Sequence, residues 1–415
     1  MNFLKEWMSR RFKSQRRISC FFTIFVLVLI FSASSSNAEL FPRAEVRRER
    51  RKQSREKLRE LFKKRQDESV VSPLADQEDK QPVGYKILDT SAPSLQGKSA
   101  RIDIAVWYPT ADEPKSFQYV YEKNRVATKI AVDAKSVSGP LPLIIYSHGA
   151  TGGGLSASFL TERLAREGFV VAAPDYEDKY YAARIRKSIP RQTARLKLKM
   201  LKWMRELKEH QLNRGGKTYR RKVLGYRPKT AKLVIDRLLR ENRDPKSPLY
   251  NVINDHEIGL VGHSFGAWTS ILVGGADPIY YDARAKAIVA LSGPCNENVY
   301  ERNELGNIHI PIMFMFGGEE PKVGRMSDRE LLYDRANSPK FLLEINGADH
   351  FTFSGGIRKE FRTISEYVTK DPRRAAIVEY TVAFFKYYLK KDKEASKQLG
   401  SKSDALGIYV RELKE

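Results

Sequence analysis

Ser264 lies at the centre of the segment Gly262-His263-Ser264-Phe265-Gly266, which has the Gly-x-Ser-x-Gly pattern of a catalytic serine. An apolar, strand-like run at residues 258–261 precedes this segment, and a helix-forming run at residues 267–273 follows it. In that context the pattern indicates a nucleophile elbow, a sharp turn that exposes the serine hydroxyl at the end of a strand. Glycines on both sides remove side chains that would clash in the turn. We therefore predict that Ser264 is a catalytic nucleophile.

A nucleophilic serine needs a base, and His350 is the predicted base. A serine hydroxyl attacks at neutral pH only when a neighbouring group takes its proton and a third group orients that base. His350 lies in a glycine-containing loop directly after an apolar, strand-like run at residues 340–345, where the base of such an enzyme reaches back to the elbow. The chain has six histidines, and His210, His256, His263 and His309 lack a comparable position.

The acid that orients the base is predicted to be Glu320. A loop with two glycines follows the second strand after the elbow and carries Glu319 and Glu320. The expected order along the chain is serine, acid, histidine, and both glutamates satisfy it. Glu320 is the first choice and Glu319 the alternative. Asp349 is adjacent to the base and would point elsewhere, and Asp175 precedes the elbow and breaks the order.

Backbone N–H groups must stabilise the oxyanion that forms when the serine attacks. The N–H groups of Phe265 and Ala150 are the predicted donors, because one follows the nucleophile and the other lies in the glycine-rich loop at residues 147–154. That loop also suggests a phosphate cradle, but the pattern G-x-x-x-x-G-K-[ST] is absent, which argues against nucleotide binding.

Metal and thiol mechanisms are not expected. No histidine follows His256-Glu257 at the spacing of a zinc-binding helix. Cys295 lies outside any elbow and is predicted to be a buried or idle thiol. The sequence therefore favours a serine mechanism over one that uses a metal or a thiol.

The N-terminal 38 residues have the organisation of a secretory signal peptide. A basic stretch at residues 1–17 precedes an apolar run at 20–31, and a small-residue segment ends at Ala38, the predicted cleavage site. The apolar run is shorter than the roughly 20 residues that span a bilayer. Export to the periplasm or medium is expected, with a membrane anchor formed by an uncleaved signal as the alternative. Cleavage leaves Cys295 as the single cysteine, so no intrachain disulfide is expected.

The net charge of +24 is concentrated in two segments. Residues 43–65 hold 12 Lys/Arg and four acids, and residues 179–232 hold 19 Lys/Arg and two acids. The first segment belongs to a predicted basic linker or propiece at residues 39–82. The second is predicted to be a lid-like insertion before the nucleophile strand. Its basic surface is either simply solvated or docks on an anionic membrane or polymer. The export signal makes nucleic acid an unexpected partner.

The remaining chain, residues 83–395, is predicted to fold as an α/β domain. Two alternating strands open it, and strands then alternate with helices, which indicates a doubly wound, mostly parallel sheet. Residues 396–415 are predicted to be a C-terminal tail.

These motifs resemble the α/β-hydrolase superfamily, and within it the platelet-activating-factor acetylhydrolase and dienelactone-hydrolase-like branch. The resemblance covers roughly residues 83–390 and rests on the segments 143–149, 168–173, 232–238, 262–266 and 347–351. It implies a serine esterase without a cofactor that cleaves short or oxidised acyl chains from phospholipids or other esters. Dienelactone hydrolases carry cysteine at the elbow, whereas this chain has serine. Acetylhydrolases place the acid where this chain has Ser292, so the later Glu320 is expected to take that role.

The predicted function is therefore an exported serine carboxylic-ester hydrolase that acts through an acyl-enzyme on a small-molecule or lipid ester. The alternative is a non-catalytic protein that binds anionic surfaces on a hydrolase scaffold. The intact serine, histidine and elbow glycines favour the enzyme. The acyl length, the alcohol and the oligomeric state stay open.

Overall fold

The computed structural model describes residues 81–95, 97–121, 124–178, 184–186, 198–199, 202, 221, 223–295, 299–301, 303–320, 326–355 and 361–413. The predicted signal peptide, nearly all of the predicted linker and most of the predicted insertion lie outside these residues. Among the described residues, no helix has the length and apolar character needed to cross a membrane.

One 11-stranded sheet organises the described chain. Its strands, in chain order, are β1 (Val83–Pro93), β2 (Ser99–Pro109), β3 (Lys115–Tyr121), β4 (Asn124–Val132), β5 (Leu141–Ser147), β6 (Val170–Pro174), β7 (Ile253–His263), β8 (Ala285–Leu291), β9 (Ile312–Gly317), β10 (Lys340–Ile345) and β11 (Leu406–Glu412). Their order across the sheet is β11-β10-β9-β8-β7-β5-β6-β2-β1-β4-β3. The six central strands from β10 to β6 run parallel, and β2 and β11 pair antiparallel to this centre.

The helices flank the sheet on both faces. They are α1 (Ser158–Arg166), α2 (Tyr226–Glu241), α3 (Phe265–Ile271), α4 (Met326–Arg335), α5 (Ile364–Thr369), α6 (Pro372–Lys390) and α7 (Lys393–Gly400). Successive side chains of a strand point to opposite faces. In β5, Ile144 and Tyr146 pack in the core that contains α1 and α6, whereas Leu143 and Ile145 pack in the core that contains α2. Burial on both faces explains why this strand is apolar throughout. The predicted doubly wound, mostly parallel α/β fold is confirmed.

Parallel strands that end in register bring their C-terminal loops to one edge of the sheet. Ser147 of β5 pairs with Gly262 of β7, and His263 of β7 pairs with Leu291 of β8. Gly317 of β9 pairs with Ile345 of β10. The residues that follow these strand ends therefore meet at one edge, where a doubly wound sheet places its ligand site.

Two predicted boundaries need correction. The predicted C-terminal tail, residues 396–415, contains the end of α7 and all of β11, and β11 pairs with β10 along its length. Alternate residues of β11, Leu406 and Val410, are buried, which is the period-two pattern of a strand. The predicted insertion at residues 179–232 also extends too far, because core helix α2 already begins at Tyr226. The hairpin of β3 and β4 was not predicted from the sequence.

Candidate active site

The nucleophile elbow has the geometry that the sequence predicts. Ser264 has a φ of 55° and a ψ of −117°, a conformation that residues other than glycine rarely adopt. A Cβ on Gly262 would lie 2.2 Å from the Gly266 carbonyl oxygen, and a Cβ on Gly266 would lie 1.9 Å from the Ser147 carbonyl oxygen. Neither position can hold a larger residue without movement of the backbone. The turn between β7 and α3 therefore depends on both glycines.

The structure brings Ser264 and His350 together. Nε2 of His350 lies 3.0 Å from Oγ of Ser264, within hydrogen-bond distance. Both side chains are half-buried, so the pair is within reach of solvent. When Nε2 carries no proton the hydroxyl donates to it, which is the geometry needed for the ring to take the proton during attack.

A capped turn holds His350. The residue begins a 3₁₀ turn, His350–Phe353, and Asp349 is its N-cap. The Asp349 carboxylate accepts hydrogen bonds from the backbone N–H groups of Phe351 and Thr352, at 3.1 and 2.9 Å. Asp349 thus positions the turn and faces its own backbone, in agreement with the prediction that it would point away from the base.

His263, inside the elbow, supports His350 from the other side. Nε2 of His263 lies 2.9 Å from the backbone carbonyl oxygen of His350, and this contact requires the proton on Nε2 because a carbonyl can only accept. Burial, together with the nearby His350, lowers the pKa of His263 well below its ordinary value, so its ring is neutral. No role for His263 was predicted from the sequence.

Ser292 occupies the position at His350 Nδ1 where the predicted acid was expected. Its Oγ lies 2.5 Å from Nδ1 of His350. Ser292 follows directly on β8 and has a φ of 46°, and its N–H donates to the Met315 carbonyl at 2.7 Å. The N–H of Ser264 in turn donates to the carbonyl of Leu291 at 2.8 Å. Backbone hydrogen bonds between neighbouring strand ends therefore hold both serines close to the base.

The predicted hydrogen bond between Glu320 and His350 is not formed. One carboxylate oxygen of Glu320 accepts from the Gly317 N–H at 2.8 Å, and the other lies 3.9 Å from an Arg329 nitrogen. The side chain is nonetheless buried, and its charge acts on His350 through space. Glu319, the alternative acid, is exposed at the surface. The side chain that contacts Nδ1 of His350 is therefore that of Ser292 and not the predicted carboxylate.

Burial and charge set the protonation of His350, the predicted base. Burial lowers the pKa of His350, and the negative charges of Glu320 and Asp349 oppose this effect without cancelling it. A base must be unprotonated to act, so the ring is ready to accept a proton at neutral pH.

The loop of the predicted oxyanion donors lies against the elbow. A Cβ on Gly149 would lie 3.3 Å from Cβ of Ser264, so the peptide that carries the Ala150 N–H is adjacent to Ser264. Among the described residues, neither the Ala150 N–H nor the Phe265 N–H has a hydrogen-bond acceptor. Two donors without acceptors beside a serine–histidine pair are what an oxyanion hole requires.

Other candidate groups have structural roles. Both carboxylate oxygens of Asp175 accept backbone N–H groups, from Gly154 and Ile185 at 2.8 Å each, and so hold loops. Burial raises the pKa of the Cys295 thiol to about 12, which leaves it unreactive at neutral pH. The part of the chain that the structure describes contains no cluster of metal-ligating side chains.

Comparisons with known proteins bear on the family and the fold. Residues 114–355 match the family model described as platelet-activating factor acetylhydrolase, isoform II. The structure is similar to that of a ferulic acid esterase from Streptomyces cinnamoneus, with a TM-score of 0.54 and 20% sequence identity. That match covers 78% of this chain and 93% of the esterase chain, and at this identity it shows a shared fold. A comparison with curated protein sequences finds no significant match.

Proposed function

The chain belongs to the platelet-activating factor acetylhydrolase isoform II family and is a carboxylic ester hydrolase; we propose that it cleaves its substrate through an acyl-enzyme on Ser264. The family match covers more than half of the chain and confirms the resemblance inferred from the motifs. The observation that carries the proposal is the 3.0 Å hydrogen bond between Ser264 Oγ and His350 Nε2 on a nucleophile elbow.

In the proposed reaction, His350 takes the hydroxyl proton as Ser264 attacks the ester carbonyl carbon. The carbonyl oxygen becomes an oxyanion and accepts hydrogen bonds from the N–H groups of Phe265 and Ala150. The protonated imidazole then gives its proton to the leaving alcohol, which departs with the electrons of the broken C–O bond. Water, activated by the same histidine, hydrolyses the acyl-enzyme and restores the free serine.

Two groups assist the base in this proposal. The Ser292 hydroxyl accepts the Nδ1–H of His350 and so orients the ring. The carboxylate of Glu320 stabilises the imidazolium through space, because its charge raises the pKa of His350. Glu320 is thus proposed as the acid of the site without a direct hydrogen bond to the base.

The proposed substrates are short-chain or phospholipid-type acyl esters, and a series of p-nitrophenyl esters from C2 to C16 tests this class. Preference for C2–C4 chains would support an acetylhydrolase-like substrate, and preference for the longest chains would contradict it.

A fluorophosphonate probe tests the mechanism. We expect one adduct, on Ser264, together with loss of esterase activity, and we expect Ser264→Ala to abolish both. Ser270→Ala is the matched control, because Ser270 lies buried in α3 and its hydroxyl has no hydrogen-bond partner among the described residues. A wild-type protein that hydrolyses no ester and forms no adduct would support the non-catalytic surface-binding alternative instead.

We also propose export through the signal peptide at residues 1–38, with cleavage after Ala38. The support is the order of basic, apolar and small-residue segments in the sequence. N-terminal sequencing of the protein recovered from the producing cells should begin at Glu39. Recovery of the uncleaved chain in the membrane fraction would show an anchor.

The basic insertion is proposed to dock on anionic surfaces, since it carries most of the excess charge. Deletion of residues 190–219 keeps Arg221, which forms ion pairs with Asp277 and Glu304. The deletion should abolish binding to vesicles that contain phosphatidylglycerol and leave hydrolysis of a soluble C2 ester intact. Unchanged vesicle binding would refute this role.

A further inference from the structure

A fully buried ion pair lies behind the loop of the proposed oxyanion hole. Arg227, near the start of α2, is 0% exposed. Its Nε donates to one carboxylate oxygen of Asp178 at 3.0 Å and its Nη2 to the other at 2.5 Å. The Tyr226 hydroxyl also donates to this carboxylate. Burial would raise the pKa of Asp178, but the charge and hydrogen bonds of Arg227 outweigh it and hold the pKa below its ordinary value, so both groups are charged.

Stability alone is a weak reason for such a pair. Desolvation of two buried charges can cost as much free energy as their attraction supplies. The hydrogen bonds that the pair makes to its surroundings indicate a more specific role.

The pair holds backbone groups on both sides of Ala150. Arg227 donates to the carbonyl oxygens of His148 and Gly149, at 2.7 and 3.3 Å. Asp178 accepts the N–H of Thr151 at 3.3 Å, and Thr151 has a φ of 65°, a left-handed conformation that needs support. One ion pair therefore holds three residues of the loop, two before and one after the proposed donor Ala150.

Peptide planarity connects these contacts to the oxyanion. The Gly149 carbonyl and the Ala150 N–H belong to one trans peptide group, so they point in opposite directions. The carbonyl accepts from Arg227 and, at 2.7 Å, from the His148 ring. Burial lowers the pKa of His148 to about 3, so this ring is neutral and its Nδ1–H donates. With the carbonyl held on the Arg227 side, the Ala150 N–H is directed away from the guanidinium.

The same guanidinium contacts the residue of the second donor. Its central carbon lies 4.5 Å from the ring centroid of Phe265 and 4.7 Å from that of Tyr176. A cation over an aromatic face is an attractive contact that restricts both groups. Arg227 thus contacts Phe265, whose N–H is one proposed donor, and the Gly149 carbonyl, which shares a peptide group with the Ala150 N–H.

We propose that Arg227 and Asp178 are positioning residues that orient the oxyanion hole. This inference rests on the proposed serine-esterase mechanism. Neither side chain contacts the substrate in this scheme. Their role is to keep the Ala150 N–H aligned with the developing negative charge, where a donor acts only if it is oriented before the reaction.

Arg227→Lys is the central test, because a lysine keeps the charge but lacks the planar set of donors that holds two carbonyls and a carboxylate at once. Loss of a single oxyanion donor costs about 100- to 1,000-fold in kcat, so partial misalignment should lower kcat about 10- to 100-fold. The KM for a short p-nitrophenyl ester should change by less than about twofold. The rate of fluorophosphonate labelling should fall in parallel with kcat, since the phosphonyl oxygen uses the same donors.

Two controls separate positioning from general damage. Arg284→Lys alters an ion pair with Asp282 and Asp236 at the N-terminal end of β8, the opposite edge of the sheet, and should retain wild-type kcat. The pH dependence of kcat/KM should be unchanged in Arg227→Lys, because the base is untouched.

Tyr226→Phe removes one hydrogen bond to Asp178 and should give a smaller loss of kcat, again without a change in KM. It serves as the test if Arg227→Lys does not fold.

The outcomes distinguish this inference from the mechanism on which it depends. A wild-type protein without esterase activity or labelling would contradict the mechanism itself. An active wild type, together with a folded Arg227→Lys or Tyr226→Phe variant of unchanged kcat, would overturn the positioning role alone. A rise in KM at constant kcat in either variant would also overturn the positioning role.

Discussion

Ser292 Oγ lies 2.5 Å from His350 Nδ1, on the side of the imidazole opposite Ser264. A carboxylate at this position can only accept, so it selects the ring tautomer that carries its proton on Nδ1 and leaves Nε2 as the base. A hydroxyl can both donate and accept, so it fits either tautomer. Ser292 therefore orients the ring of His350 but does not by itself decide which nitrogen is the base.

This difference predicts the effect of replacing Ser292. Ser292→Ala should lower kcat about 3- to 10-fold, the equivalent of one neutral hydrogen bond. Ser292→Asp places a carboxylate at Nδ1 and should raise kcat about tenfold, because charge-assisted hydrogen bonds are stronger and the correct tautomer is favoured. Aspartate also tolerates the positive φ of 46° at this position better than most residues. Steady-state kinetics on a C2 ester measure both variants. An Asp variant slower than the Ala variant would contradict this account.

The pH dependence of the wild-type enzyme follows from the lowered pKa of His350. The base acts when neutral, so kcat/KM should stay constant as the pH falls through 6.5, the ordinary histidine pKa, and decline only below it. Glu320→Gln removes a charge that raises this pKa, so the acidic limb should move to lower pH while kcat falls.

Ser292→Asp adds a negative charge beside the same ring, so its acidic limb should move in the opposite direction, to higher pH. Glu319→Gln is the matched control for Glu320→Gln, because its side chain is exposed, and its profile should equal that of the wild type. A Glu320→Gln enzyme with an unchanged pH profile would show that the charge of Glu320 does not act on His350.

His263 should matter for catalysis although it does not contact Ser264 through its side chain. His263→Phe keeps a ring that can stack on Phe353 but removes the Nε2–H that donates to the His350 carbonyl. We expect kcat to fall about tenfold, with KM unchanged, because the backbone of His350 loses a hydrogen bond that holds it in place. His309→Phe is the control, since His309 is exposed, and it should have no effect.

The central sheet and the serine–histidine pair were predictable because their signals are local. An apolar strand, a glycine-bounded serine and a helix are consecutive in the sequence, and His350 directly follows a strand. The partner of His350 Nδ1 was not predictable, because it depends on how the loops after β8 and β9 turn toward the base. Glu320 has the right residue type and strand, yet its carboxylate accepts from the Gly317 N–H.

Arg227 shows a second limit of sequence reasoning. It is one of 19 cations in the segment 179–232, where a solvated or surface-binding role is the natural expectation for each. Only the tertiary structure reveals that α2 begins at Tyr226 and carries this guanidinium into the interior beside Asp178. The Asp178 partner lies 49 residues earlier, so no local pattern connects the two.

The final strand, β11, should be required for stability and not only cover an edge. Val410 is 4% exposed and packs in the core, whereas Leu413, just after the strand, is 46% exposed. Val410→Asp buries an unpaired charge and should cost several kcal/mol, or prevent folding, because an isolated ion in an apolar core has no compensating partner. Leu413→Asp should change the free energy of unfolding by less than about 0.5 kcal/mol, as is usual at the surface. Denaturant unfolding measures both variants. Equal free energies of unfolding for the Val410→Asp and Leu413→Asp variants would mean that β11 contributes little to the stability of the fold.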